Sequence, residues 1–221
     1  MSSFRGHRWY LAIALFLFTG ATADDWPGPQ VREAFSASRE YFVRILPGES
    51  WGDTRGFAGA KKGKYAIAEF YRRERNRSYT FVTETALANP VAPVDFFVSD
   101  HGYLATLDNW HNLGYGKVVT LYGPGGRLIR AYALTDLFLP KEIESFSHSV
   151  SSVRWRDGPA YIRPDQKTVL VTVKANDGAS LVFGLESGEY KYCEYQGGNY
   201  RCRAANADRE WLPNGKMSLQ D

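Results

Sequence analysis

The strongest constraint on this chain is its rhythm: short runs of β-branched and aromatic residues, broken by polar turns that carry glycine, proline or aspartate. Tyr65-Ala-Ile-Ala-Glu-Phe-Tyr71 and Tyr79-Thr-Phe-Val-Thr-Glu-Thr85 flank an arginine-rich tip and read as one hairpin. Residues 95–98 and 103–107 are split by the turn Ser99-Asp100-His101-Gly102, and residues 118–122 and 127–132 by Gly123-Pro-Gly-Gly126. Residues 160–162, 168–173 and 180–183 follow in the same style. Helical signals are few: residues 31–42 read as weakly helical, and Pro140-Lys-Glu-Ile-Glu-Ser145 as a short helix with proline in its first turn. Many short strands with frequent turn signals predict an all-β domain.

A repeat narrows the class. Pro93-Val-Asp-Phe-Phe-Val-Ser-Asp100 leads through a strand and a longer loop to the hairpin at Gly123. Pro159-Ala-Tyr-Ile-Arg-Pro-Asp165 leads likewise to Ser180-Leu-Val-Phe-Gly-Leu-Glu-Ser-Gly-Glu189, and residues 64–86 supply a partial third unit. Such units predict blade-like antiparallel β-hairpins, a partial β-propeller-like fold, because about four blades are needed to close a propeller. The alternative is a β-sandwich in which the repeat is accidental.

The two cysteines fix a register. With Gly197-Gly198 as a two-residue hairpin turn, Gln196 opposes Asn199, Tyr195 opposes Tyr200, Glu194 opposes Arg201 and Cys193 opposes Cys202. The cysteines then occupy a non-hydrogen-bonded pair, where opposed side chains lie closest. A disulfide between Cys193 and Cys202, in a hairpin near residues 190–203, is the expectation. Metal ligation and redox pairing are the rivals, and the spacing matches neither a zinc motif nor C-x-x-C.

The amino terminus has the layout of a secretory signal peptide: basic Arg5, His7 and Arg8, an apolar run from Leu11 to Phe18, and small residues at Ala21 and Ala23. From Trp9 to Ala23 the stretch is about 15 residues, short of the roughly 20 needed for a spanning helix. The sequence therefore predicts residues 1–23 as a cleaved signal, residues 24–221 as one all-β domain, and a periplasmic or secreted location with no stable membrane span. The chain has 27 Lys and Arg against 24 Asp and Glu; removing Arg5 and Arg8 leaves 25 against 24, a net of +1. A near-neutral mature protein is expected to have no large field to steer it to nucleic acid or anionic lipid. The basic runs at residues 61–64 and 72–77 read as solvated loop tips. Asn76-Arg77-Ser78 is a formal glycosylation sequon, meaningful only in a host that glycosylates exported proteins.

Gly102-Tyr-Leu-Ala-Thr-Leu-Asp-Asn-Trp-His-Asn-Leu-Gly-Tyr-Gly116, the hairpin after it, and Ser149-Val-Ser-Ser-Val-Arg-Trp155 resemble an exported bacterial family with β-propeller-like, blade-like repeats and no established activity. The resemblance covers roughly residues 95–189. It implies a β-rich exported protein and transfers no catalytic residue.

Within that stretch the loop Asp108-Asn-Trp-His-Asn-Leu-Gly-Tyr-Gly116 gathers an acid, two amides, an imidazole and two large aromatics between two strands. Loops held by a rigid β scaffold are where ligands bind. Asp108, Trp110, His111 and Tyr115 are the candidate ligand-binding residues, with the rings stacking on a sugar or a peptide side chain. The competing reading is a self-packed loop that caps the core. Catalytic signatures are missing: Ser99, Asp100 and His101 are contiguous rather than convergent, and no nucleophile elbow or phosphate loop is present. A metal site assembled from His101, Asp108 and His111 is the remaining route to catalysis. Two functions follow. One is an exported, non-catalytic binding or interaction module of the cell envelope or exterior, with no cofactor and an unidentified ligand or protein partner. The alternative is a metal-assisted hydrolase acting on an envelope or extracellular polymer.

Overall fold

The computed structural model describes residues 26–173, 179–196, 199–204, 209–211 and 217–219. The signal segment 1–23 and the Gly197-Gly198 turn lie outside the described residues. Within them the chain is all-β, built from antiparallel meanders in which neighbours in sequence are neighbours in space. The first sheet contains β1 (Arg32–Phe35), β2 (Tyr41–Leu46), β3 (Ile67–Arg73) and β4 (Tyr79–Ala86). The second contains β5 (Pro93–Val98), β6 (Leu104–Asn109), β7 (Val119–Tyr122) and β8 (Leu128–Tyr132). Two short helices follow, α1 (Leu134–Leu137) and the expected α2 (Pro140–Ser145), then a small ladder of β9 (Ser147–His148) and β10 (Val153–Arg154). The third sheet contains β11 (Tyr161–Ile162), β12 (Thr168–Thr172), β13 (Ser180–Gly184), β14 (Tyr190–Gln196) and β15 (Asn199–Ala204). A last ladder pairs β16 (Arg209–Trp211) with β17 (Met217–Leu219).

The repeat unit occurs three times, and the partial third is a complete one. Each sheet opens with a hairpin whose turn closes by a backbone bond from a left-handed residue: Arg39 N–H to Ser36, Gly102 to Ser99 and Gln166 to Arg163, at 2.9, 3.0 and 2.9 Å. The three residues sit at φ 59°, 79° and 56°. This corrects the helical reading of residues 31–42, which form β1, a turn and β2. Pairing of Phe35 with Phe42 and Ala34 with Val43 overrides a weak local helical pattern. The partial unit at residues 64–86 is thereby completed, since β1 and β2 are its missing inner strands.

The sheets stack face to face like blades. Val43, Ile45, Ala68 and Phe70 of the first sheet pack on Phe96, Val98, Leu104 and Tyr122 of the second. The opposite face of the second sheet, with Ala105, Leu107, Val119 and Leu121, packs on Val169, Val171, Leu181 and Phe183 of the third. Every residue of β6 and β7 is buried, as expected for strands covered on both faces. The opening strands adjoin, β1 beside β5 and β5 beside β11. Their turns are chained: Ser38 N–H donates to Asp100 Oδ1 at 2.7 Å, and Asp100 N–H donates to Gln166 Oε1 at 3.1 Å. Among the described residues no sheet closes into a barrel. No helix among the described residues is long and apolar enough to cross a membrane.

The cysteine hairpin has the register read from the sequence, from Gln196 opposite Asn199 to Cys193 opposite Cys202. Cys193 and Cys202 are disulfide-bonded with Cα atoms 4.0 Å apart, the close approach of a non-hydrogen-bonded pair. Cys193 is buried against Leu170 and Val182 on the far face of the third sheet.

Candidate functional site

A meander places alternate connections at opposite ends of the stack. The tight hairpin turns share one end, and the longer connections share the other. Two of the latter, residues 47–66 between β2 and β3 and residues 110–118 between β6 and β7, pack against each other. Asn112 fastens them. Its Oδ1 accepts the Arg55 N–H at 2.6 Å, and its Nδ2 donates to the carbonyls of Arg55, Ser151 and His111 at 3.1, 3.2 and 2.9 Å. Asn109 does similar work, donating to the Tyr115 carbonyl at 2.6 Å and accepting from Asn89 at 2.8 Å. Both amides of the sequence motif are committed to holding loops in place.

Asp108 is the motif's acid, and the structure places it in a strand, fully buried, rather than on the loop. It adopts φ 55°, which turns its carboxylate toward the third sheet. Oδ1 accepts the Gly114 N–H at 2.9 Å and the Trp155 indole N–H at 2.8 Å, and Oδ2 accepts Arg156 Nε at 2.7 Å. Arg156 also reaches Asp95 Oδ2 at 2.6 Å. Burial pushes the Asp108 carboxyl above its ordinary range, against the pull of Arg156, the indole and the Gly114 N–H. Gly114 must be glycine, because it sits at φ 74° and a Cβ there would lie 2.6 Å from the Val153 carbonyl. Asp108 is thus a tie between the second sheet and the segment leading into the third.

Trp110 and His111 join a half-buried aromatic cluster with Trp26, Trp51 and Phe57. Trp110 lies edge-on to Trp51 at 4.8 Å between ring centroids and donates from Nε1 to the Pro27 carbonyl at 2.9 Å. His111 packs against Phe57 at 5.0 Å, and its buried Nδ1 has no hydrogen-bond partner among the described residues. Tyr115 differs. Its ring carries the Arg55 guanidinium at 4.3 Å from the centroid, at a cleft of about 810 Å³ lined also by Asp53, Thr54, Tyr65, Asn109, Asn112 and Lys117. Within that lining Asp53 is spoken for. The Lys62 ammonium at 2.6 Å, with the Ser50 and Tyr65 hydroxyls, holds its carboxyl below the ordinary range. Arg55 makes no ion pair among the described residues, and Lys117 only a long one of 3.8 Å to Asp136. A stacked guanidinium, an ammonium and a tyrosine are the groups left to face a ligand.

The proposed metal set does not come together. His101 caps the β5–β6 turn at one end of β6, while Asp108 and His111 lie at the other. Six residues of strand separate the ends by on the order of 17 Å. Among the described residues no group of three or more His, Cys, Asp or Glu side chains is placed to share a metal ion. Ser99 and Asp100 are turn-forming groups: Ser99 Oγ accepts the N–H of Tyr103 at 3.1 Å, and Asp100 accepts that of Ser38.

Sequence reasoning missed Arg55, Tyr65, Lys117 and Arg156. A signal for the first two existed. The connection at residues 47–66 is long, rich in glycine, and carries Trp51 and Phe57; it occupies the same place in the first repeat as residues 110–118 do in the second. Extending the repeat to β1 and β2 would have paired the loops. No protein-family model matches the chain, and no curated protein is similar to it, so the blade-like description rests on the strand order and the three matching turns.

Proposed function

We propose that this protein is an exported, non-catalytic binding module of the cell envelope or exterior, and that its ligand sits in the cleft between residues 52–65 and 109–117. The observation that carries the reading is the division of labour in the lining. Asp53, Asn109 and Asn112 are committed to holding loops, whereas Arg55, Tyr115 and Lys117 are presented without strong partners. A cleft of this size with a few convergent polar groups on a rigid scaffold has the form of a ligand site. Export is supported by the signal-peptide layout and by the Cys193–Cys202 disulfide, which suits an oxidising compartment. Against catalysis stand the burial of Asp108 in a structural tie and the enclosure of His111 by aromatic rings.

The test is a binding screen of the mature protein against fractionated envelope glycans and peptides, with Tyr115→Ala and Arg55→Ala run beside the parent. Loss of capture in both variants, with melting temperatures near that of the parent, supports the cleft. Capture unaffected by either substitution refutes it.

A further inference from the structure

The hairpin end of the first sheet, opposite the cleft, gathers five arginines from two turns. Arg39 lies in the β1–β2 turn, Arg72 and Arg73 end β3, and Arg75 and Arg77 sit on the β3–β4 tip. The two turns are pinned together: the Tyr79 hydroxyl donates to the Arg39 carbonyl, and the Arg73 N–H donates to the Glu40 carbonyl, each at 2.7 Å. Arg72, Arg73, Arg75 and Arg77 line a concavity of about 490 Å³ with Glu40 and Glu74. None of the five guanidiniums makes an ion pair among the described residues. Five arginines against Glu40, Glu74 and the Asp100 of the adjoining turn leave this one end at +2, close to the +3 of the whole chain of 221 residues. Near-neutral net charge therefore hides a polar distribution.

One row into the sheet, on the face turned away from the core, four rings stand in register across all four strands. Phe35, Phe42, Tyr71 and Phe81 follow one another at 5.1, 4.4 and 5.7 Å between centroids. Tyr79 packs edge-on against Phe35 and Phe42. The ends of the row are open to solvent: Phe35 is 45% exposed and Phe81 50%, and Val82, which has no partner on β3, is 52% exposed. Phe35, Phe42 and Tyr71 stack on one another, and Phe81 meets Tyr71 edge-on, so the row forms one continuous apolar strip across the sheet. Arg39 bridges the two features, its guanidinium 5.7 Å from the Phe35 centroid.

We propose that this end of the protein docks on an anionic lipid bilayer. Unpaired guanidiniums beside half-exposed aromatic rings are the combination that holds a protein at a membrane surface: cations meet anionic headgroups, and the rings enter the interfacial zone. A soluble polyanion would satisfy the arginines and leave the rings in water. An apolar protein partner would cover the rings and strand the charges. The bilayer surface is complementary to both, and it leaves the ligand cleft at the other end facing solvent.

Co-sedimentation of the mature protein with large phosphatidylcholine vesicles, with and without about one-third phosphatidylglycerol, tests this. Each arginine near an anionic surface adds to the attraction, so Arg75→Glu combined with Arg77→Glu should lower partitioning onto anionic vesicles at least about tenfold. Both residues are exposed on the tip, so the variant keeps its fold, which circular dichroism checks. Raising salt from about 0.1 M to about 1 M shortens the screening length from about 10 to about 3 Å and should release the protein. Phe81→Ser, with every charge intact, should weaken binding severalfold. Equal binding to neutral and anionic vesicles, no binding to either, binding unchanged in the charge-reversed protein or in Phe81→Ser, or retention only by dextran sulfate in free solution would each overturn the proposal.

Discussion

Replacing Asp108 with Asn tests the assignment of that residue to the scaffold rather than to a binding surface. Asn is nearly isosteric, and its Oδ1 can still accept from Gly114 and from the Trp155 indole. Its Nδ2, however, takes the place of the oxygen that now accepts Arg156 Nε at 2.7 Å, so two donors face each other in a buried site. Removing one partner of a buried ion pair costs about 3–5 kcal/mol, because the remaining charge is left uncompensated. Arg156 keeps its bond to Asp95, which is 38% exposed by side chain, and this sets the expectation at the lower end, about 3 kcal/mol. For a domain of this length each kcal/mol lowers the melting temperature by about 2–4 °C, so the expected drop is about 6–12 °C. Differential scanning calorimetry reads it. Arg156→Met in the Asp108→Asn background should cost less than the two single changes added together, since the stranded charge is then gone. A drop below about 2 °C, or lost ligand capture at unchanged stability, would refute the structural assignment.

Trp110→Ala should cost about 2–3 kcal/mol, below the 3–5 of a fully buried tryptophan because the ring is half-exposed, read by chemical denaturation. Removing the disulfide by Cys193→Ser with Cys202→Ser closes no loop in the unfolded chain and should cost roughly 2–3 kcal/mol, checked against the reduced parent. Burial works against ionised Asp100, but donation from Ser38 and Ser36 and the nearby His101 hold its carboxyl below the ordinary range. Its stabilisation is therefore present above about pH 4, the unfolded value, and is lost as pH falls through the lower folded one. The stability difference between the parent and Asp100→Asn should accordingly shrink in acid unfolding curves below about pH 4. Sequencing the amino terminus of the exported protein should begin at Asp24.

Much of the fold was legible because it is written locally. Alternation in residues 65–71 and 79–85, turn chemistry at Gly123 to Gly126, and the spacing of Cys193 and Cys202 each report on a hairpin without reference to distant contacts. The first blade was half-missed because its opening turn, Ser36 to Arg39, uses a left-handed arginine where a glycine or aspartate would have signalled it. The site was less legible. Composition marked the loop from Asp108 to Gly116, yet side-chain direction decides function, and the φ of 55° at Asp108 sends its carboxylate inward to Trp155 and Arg156, 47 and 48 residues away. The Arg55–Tyr115 pair joins residues from different blades, and no local pattern encodes it. Nor does a net charge disclose that five arginines share one end.

The most direct test of the account is amide hydrogen exchange on the mature protein, with and without the ligand recovered in the envelope screen. Bound ligand should slow exchange in residues 52–58 and 109–117 together, because Asn112 couples the two loops, and Tyr115→Ala should abolish both effects. Protection confined to other parts of the stack, or protection of the cleft that survives Tyr115→Ala undiminished, would contradict it.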